Sequence, residues 1–208
     1  MNKNDRENTR RFPVLLGYSL IAASMVVGLG PARALAQQDH RHENRLAEND
    51  QTSSQSDQIN PLIRVVRQAT ERFQDVSVAQ AAGYSLQFGC VTGPDFGAMG
   101  MHFINGALVN DGQLDAMHPE ILVYEPLPNG GLRLIGADYL VFADAWNATH
   151  TEPPQLMGQL FHLFESPNRF GLPAFYTLHV WAWKHNPTGA FTNWHSNVSC
   201  KAFNGQHQ

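Results

Sequence analysis

Apolar residues change their spacing twice along the chain, and those changes predict its architecture. Residues 13–30, PVLLGYSLIAASMVVGLG, form an unbroken apolar run. Residues 37–58, QQDHRHENRLAENDQTSSQSDQ, are polar, charged and nearly free of large apolar groups, a composition that cannot bury enough surface to order itself. From Asn60 the spacing becomes helical. Leu62, Val65, Val66, Ala69 and Phe73 fall on one face, with Asn60 as N-cap and Pro61 at the first helical position. Ser77 to Gln80 has the spacing of a capping box for a short second helix, and Gly83 ends it. Beyond Gly83 come short extended runs separated by turn signals: GMHFIN before NDGQ, EILVYEP before LPNGG, then LRLIGADYLVF, and finally AFYTLHVWAW before NPTG. TEPPQLMGQLFHLF is the one later stretch that predicts a helix, with Pro153 near its start. Helices first and mostly antiparallel strands afterwards predict an α+β fold with a curved or barrel-like sheet, in a single domain over 59–208.

The N-terminal pattern changes where such a domain is expected to act. Lys3, Arg6, Arg10 and Arg11 precede the apolar run, and Ala34-Leu35-Ala36 offers a small-x-small cleavage site, so residues 1–36 read as a signal peptide and 37–58 as a flexible polar linker. An uncleaved membrane anchor is the competing reading, since the run approaches the ~20 residues that span a bilayer. Phe12 follows the arginine pair one position early for a twin-arginine signal. A periplasmic or secreted location follows. Removing residues 1–36 takes five of the 14 basic residues and two of the 18 acids, leaving a net charge of −7. Nucleic acid and anionic membrane surfaces are poor partners for such a chain, and no second apolar run is long enough to span a bilayer. Cys90 and Cys200, an even pair in an exported chain, predict a disulfide.

Candidate chemistry rests on histidine. After Phe73 the basic residues are only Arg133, Arg169, Lys184 and Lys201, against eight histidines. Neighbouring side chains on a strand point to opposite faces. In the last strand Thr177, His179, Trp181 and Trp183 share one face, a surface suited to a pocket wall, while Tyr176, Leu178, Val180 and Ala182 form an apolar core face. His102 shares a face with Gly100 and Ile104; Glu120 shares one with Leu122 and Tyr124. His102, Glu120 and His179 are therefore the expected two-histidine, one-carboxylate site for a transition metal (Zn, Fe or Cu), with Tyr124, Trp181 and Trp183 beside it. Two other readings stand beside this one: core histidines each hydrogen-bonded through one ring nitrogen, and a metal-free pocket with His179 as base. Met99 and Met101 with His102, and Met117 with His118, raise a Cu(I) reading, although methionine also simply fills cores. No G-x-S-x-G elbow or phosphate-cradling loop is present, and Glu120 and Glu125 point to opposite faces of one strand, so hydrolase chemistries of those kinds find no support.

The segments ATERFQDVSVAQAAGY (69–84), GAMGMHFIN (97–105), PEILVYEP (119–126), LHVWAWKHNPTGAF (178–191) and VSC (198–200) resemble, in order and spacing, a family of exported bacterial proteins without assigned activity. Its marks here are GxMGxHF, PEILVYEP and HVWxWxxNPxGxF. The resemblance implies one exported domain, transfers no reaction, and singles out His102, Glu120, His179 and Asn186. The expected function is binding of a small molecule or metal ion in a pocket at these residues. The rivals are a metal-dependent enzyme using the same residues, and an interaction module without metal whose exposed apolar patch would centre on Trp194.

Overall fold

The computed structural model describes residues 60–93 and 95–205; the expected signal peptide and linker lie outside them. Helix α1 (Pro61–Thr70) starts where the sequence predicts. The Asn60 side-chain oxygen accepts from the N–H groups of Leu62 and Ile63, and Pro61 sits where its missing N–H costs nothing. Its buried stripe is Leu62, Ile63, Val66 and Thr70, with Val65 and Ala69 half-buried at the flanks. A 3-10 turn (Glu71–Gln74) follows and buries Phe73. Helix α2 (Val76–Ala81) is capped by Asp75 and not by Ser77. Asp75 is the extended residue just before the helix, so its carboxylate, not the Ser77 hydroxyl, meets the free Ser77 N–H.

The sheet is six-stranded, antiparallel and curled into a half-barrel. Its strands are β1 (Tyr84–Gly93), β2 (Gly97–Asn105), β3 (Ile121–Pro126), β4 (Leu132–Phe142), β7 (His162–Phe164) and β8 (Phe175–Val180), in the order β1-β2-β3-β4-β8-β7. A short helix α3 (Gly106–Asp111) fills part of the β2–β3 connection and ends on Gly112 at φ 68°, the turn that NDG signals. Helix α4 (Ala143–Asn147) follows β4. The helix expected over TEPPQLMGQLFHLF is absent. Gln155–Leu156 (β5) and Gln159–Leu160 (β6) form a hairpin instead, and His162–Phe164 joins the sheet edge as β7. Met157 and Gly158 are both left-handed, at φ 48° and 85°, which suits a two-residue hairpin turn and would break a helix.

Interrupted registers produce the curl. The extra residues are Phe88 and Gly89 in β1, Met99 in β2 opposite the Val91–Thr92 step, and Ile135 in β4 opposite the Val123–Tyr124 step, and such bulges bend a strand and increase its twist. Gly100 has φ 95°, and a Cβ there would lie 2.7 Å from the Tyr124 carbonyl oxygen, so only glycine allows β2 to approach β3 this closely. The helical layer covers the outer face. Leu62, Ile63 and Val66 pack with Tyr139, Val141, Leu178 and Val180, and Phe73 meets Tyr84 edge-on at 5.3 Å. The inner face of β2, β3, β4 and β8 lines a cavity.

The C-terminal segment is clipped to the first two strands. Cys90 and Cys200 form a disulfide, and Ala98 and His195 exchange backbone hydrogen bonds. A Cβ on Gly97 would lie 2.2 Å from the His195 carbonyl oxygen. Among the described residues no helix is long and apolar enough to cross a membrane. The disulfide closes a loop of 110 residues. Replacing both cysteines by alanine should cost about 4 to 5 kcal/mol, measured by urea denaturation against the oxidised chain, as the entropy of so long a loop requires.

Candidate metal centre

Ile104 of β2 pairs with Ile121 of β3, Ile121 with Asp138 of β4, and Asp138 with His179 of β8. These four side chains form one row across the inner face. His102 stands one inner-face position along β2, opposite Val123. The curl brings it across the concavity to His179, and the two Nε2 atoms are 3.4 Å apart with their rings nearly perpendicular, at 83°. One nitrogen of each imidazole and one oxygen of Asp138 all lie within 4.8 Å of one another. Thr177, next to His179 on the same face, donates its hydroxyl to Asp138 Oδ1 at 2.5 Å.

Burial sets the charges. His102 is lowered to about 4, first by burial and then by the neighbouring His179, against the pull of Asp138. His179 is lowered to about 3, mainly by burial, with Asn193 opposing. Burial pushes Asp138 up to about 6; His102, the Thr177 hydroxyl and the N–H groups of Leu178 and Tyr139 hold it from rising further. At neutral pH the site is thus two neutral imidazoles and one carboxylate, the protonation state a metal needs. The His179 Nδ1–Asp138 Oδ1 separation of 3.6 Å is too long for a hydrogen bond, and with His179 neutral it is no ion pair.

Two neutral imidazoles so placed cannot satisfy each other. If one Nε2 donates to the other, one ring keeps a bare Nδ1 and the other an Nδ1–H, and neither Nδ1 makes a hydrogen bond of normal geometry among the described residues, although the Gly100 backbone acts on His102 and the Asn193 side chain on His179. Each buried unsatisfied group costs about 1–3 kcal/mol. A cation between the Nε2 atoms removes the conflict over that pair. Nitrogens bound at about 2.0–2.1 Å to a tetrahedral ion are about 3.3–3.4 Å apart, which is the separation observed here. The Asp138 carboxylate, 3.6 Å from His179 Nδ1, and the Asn193 side chain lie beside the His179 ring.

His102 and His179 are therefore brought together as expected, and the third member is Asp138 rather than Glu120. Glu120 precedes β3 and shares its parity with Leu122 and Tyr124, which is the outer face. There its carboxyl substitutes for a missing strand partner: β3 begins at Ile121 while β4 runs on to Phe142, and Glu120 Oε2 accepts from the Leu140 N–H at 3.2 Å. Tyr124 is also on the outer face and donates its hydroxyl to the Phe73 carbonyl at 2.6 Å. Trp183 lies beyond the end of β8, where alternation no longer holds, and its indole bonds Thr70 of α1 at 2.9 Å. Asn186 is buried but organises the final loop, bonding Thr192 and the Trp194 carbonyl. Trp181 alone of these four meets the imidazole pair, with its ring 5.6 Å from that of His179. The two Met-His clusters separate: Met99 joins the cavity wall, Met101 lies opposite Tyr124, and His118 pairs with Asp115 at an exposed loop. Asp138 had a sequence signal of its own, as the one acid inside the apolar strand LRLIGADYLVF.

Glu120 gives a separate test of the assignment. Burial pushes its carboxyl up to about 8 from the ordinary 4.5. Between those values the folded protein keeps a proton that the unfolded chain has lost, so this group's stabilising contribution is whole below pH 4.5 and disappears as pH rises through 8. Glu120→Gln should flatten the decline in thermal midpoint between pH 5 and 9 and leave metal affinity within twofold of wild type; a tenfold loss of affinity would return Glu120 to the ligand set. No protein-family model, curated protein or solved structure matches the chain.

Proposed function

We propose that the chain is an exported metal-binding protein that holds one divalent transition ion between His102, His179 and Asp138, at the base of an apolar cavity inside the half-barrel. The observation that carries this reading is the pair of buried, neutral imidazoles with Nε2 atoms 3.4 Å apart. Zinc fits best, because that separation matches tetrahedral coordination and because two imidazoles with one carboxylate form an N/O donor set that zinc accepts. Iron(II), which takes the same donor types on one octahedral face, is the next candidate, and copper the third. Export is supported by the signal-like pattern over 1–36 and by the disulfide. The acidic balance of the chain supports an ion and a small molecule as its partners rather than nucleic acid or an anionic membrane.

A metal-dependent enzyme is the second reading, favoured by the ligand count. Three protein ligands leave a tetrahedral ion one open position, and the cavity adjoins it. Either reading requires the ion.

Isothermal titration of metal-free, untagged protein with Zn(II) should show one equivalent bound. His102→Ala and His179→Ala should each weaken binding by at least about 100-fold, since each removes a ligand. Unchanged affinity in both variants would refute the site. The pH dependence has a specific shape. Because Asp138 protonates near 6 and the imidazoles only near 4 and 3, affinity should fall about tenfold per pH unit from 6 towards 4, and more steeply below. An ordinary exposed histidine pair would instead lose about 100-fold per unit from 6.5 downward. Asp138→Asn should remove the slope between 6 and 4.

A further inference from the structure

We propose that the cavity above this centre binds a compact, uncharged weak acid, of which a small alkanethiol is the simplest case, which passes between Phe88 and Phe170 and coordinates the ion as its conjugate base. The proposal rests on the metal-centre reading and adds its ligand.

Access is restricted by construction. His102 and His179 are buried, so an exogenous ligand reaches them through the cavity. In β1, Gln87 pairs with His102 and Cys90 with Met101, leaving Phe88 and Gly89 as extra residues opposite the His102 step. Both are left-handed, at φ 63° and 65°, a conformation that glycine holds freely and phenylalanine only at a cost. The bulge places the Phe88 ring against Phe170, centroids 5.4 Å apart. Phe170 follows β7, on the opposite edge of the sheet. Arg169 beside it donates to the Thr92 carbonyl of β1 at 3.1 Å, so the two edges of the half-barrel are tied together at this aromatic pair. Phe164 and Phe175, stacked at 5.1 Å, continue the aromatic wall inward.

Charge and size then select the ligand. A divalent ion with one carboxylate and two neutral imidazoles carries a net single positive charge. The other cavity walls are apolar apart from Thr177, and no lysine or arginine among the described residues lines them. One negative charge on the ligand neutralises the centre, and a second has no partner. A preformed anion must shed its hydration shell to pass the phenyl rings, which is expensive in apolar surroundings, whereas a neutral acid does not. On coordination its S–H bond breaks, a metal–sulfur bond forms and the proton is released to buffer. The space open to the centres of water-sized groups is about 30 Å³, room for a few heavy atoms and not for an extended chain.

The test uses the full chain loaded with Co(II), whose absorption reports both occupancy and a bound thiolate. Ethanethiol and 2-mercaptoethanesulfonate share a donor and differ in the charge of the tail. Ethanethiol should produce the thiolate-to-cobalt band with one proton released per thiol, read from titration heats in buffers of different ionisation enthalpy. The sulfonate should bind at least 100-fold more weakly. Phe88→Gly, which suits the left-handed backbone, should reduce that discrimination to tenfold or less with the cobalt still bound. Cys90 and Cys200 are both buried, which shields the disulfide from a monothiol, and the intact mass verifies this. Equal binding of the two thiols to wild type, or unchanged discrimination in Phe88→Gly, overturns the proposal. So does a cobalt spectrum that is lost in His179→Ala yet insensitive to either thiol, and that result leaves the metal reading standing. Failure of cobalt to bind overturns both.

Discussion

The close approach of His102 to His179 depends on the curl of the sheet. On a flat sheet β2 and β8 would be three strand spacings apart, roughly 14 Å, and no imidazole pair could span that distance. The bulges in β1, β2 and β4 and the glycine at position 100 accompany a curl that turns the two side chains towards each other, so that their Nε2 atoms are 3.4 Å apart. The same curvature turns the outer face into a convex surface for α1, α2 and the turn between them. It also brings Phe88 and Phe170 together from the two sheet edges. The disulfide and the Ala98–His195 bridge hold the C-terminal segment across the start of the sheet, where the bulges of β1 and β2 fall.

The site runs against the interests of stability. His102, Asp138 and His179 are buried polar groups in a core that would be more stable with apolar side chains of similar volume. Burial keeps the imidazoles neutral and raises the carboxyl, and the two Nδ1 atoms make no hydrogen bond of normal geometry among the described residues. Unfavourable groups concentrated at one place, in a fold whose other buried polar groups are mostly bonded, point to function at that place. Glu120 shows the contrast. It is as buried as the triad, yet its carboxyl completes the backbone hydrogen bonding of β4 and has a structural reason to be there.

Much of the fold was legible in the sequence. Asn60-Pro61 marked the first helix to the residue, the extended runs after Gly83 marked most of the sheet, and the α+β class followed from their order. The alternation in AFYTLHVW separated Leu178 and Val180 from Thr177 and His179 correctly, and it named one member of the candidate triad, His179. Cross-strand register was not legible. Parity says which residues share a face within one strand; it does not say which face of the next strand they meet. Glu120 and Tyr124 were misplaced for that reason, while Asp138 went unnoticed in a strand that otherwise read as core. TEPPQLMGQLFHLF failed differently: its apolar spacing suits a helix, and the left-handed pair at Met157-Gly158 overrides it. Trp183 was lost because β8 ends at Val180, and nothing in the apolar run marks that end.

The most direct measurement is anomalous diffraction at the zinc edge from crystals of the untagged chain grown with equimolar zinc. A single strong peak within about 2.0–2.1 Å of both His102 Nε2 and His179 Nε2, with Asp138 adjoining, is the expected result. Zinc found only at surface groups such as His118 and Asp115, with the two imidazoles bare and still 3.4 Å apart, would contradict the metal centre.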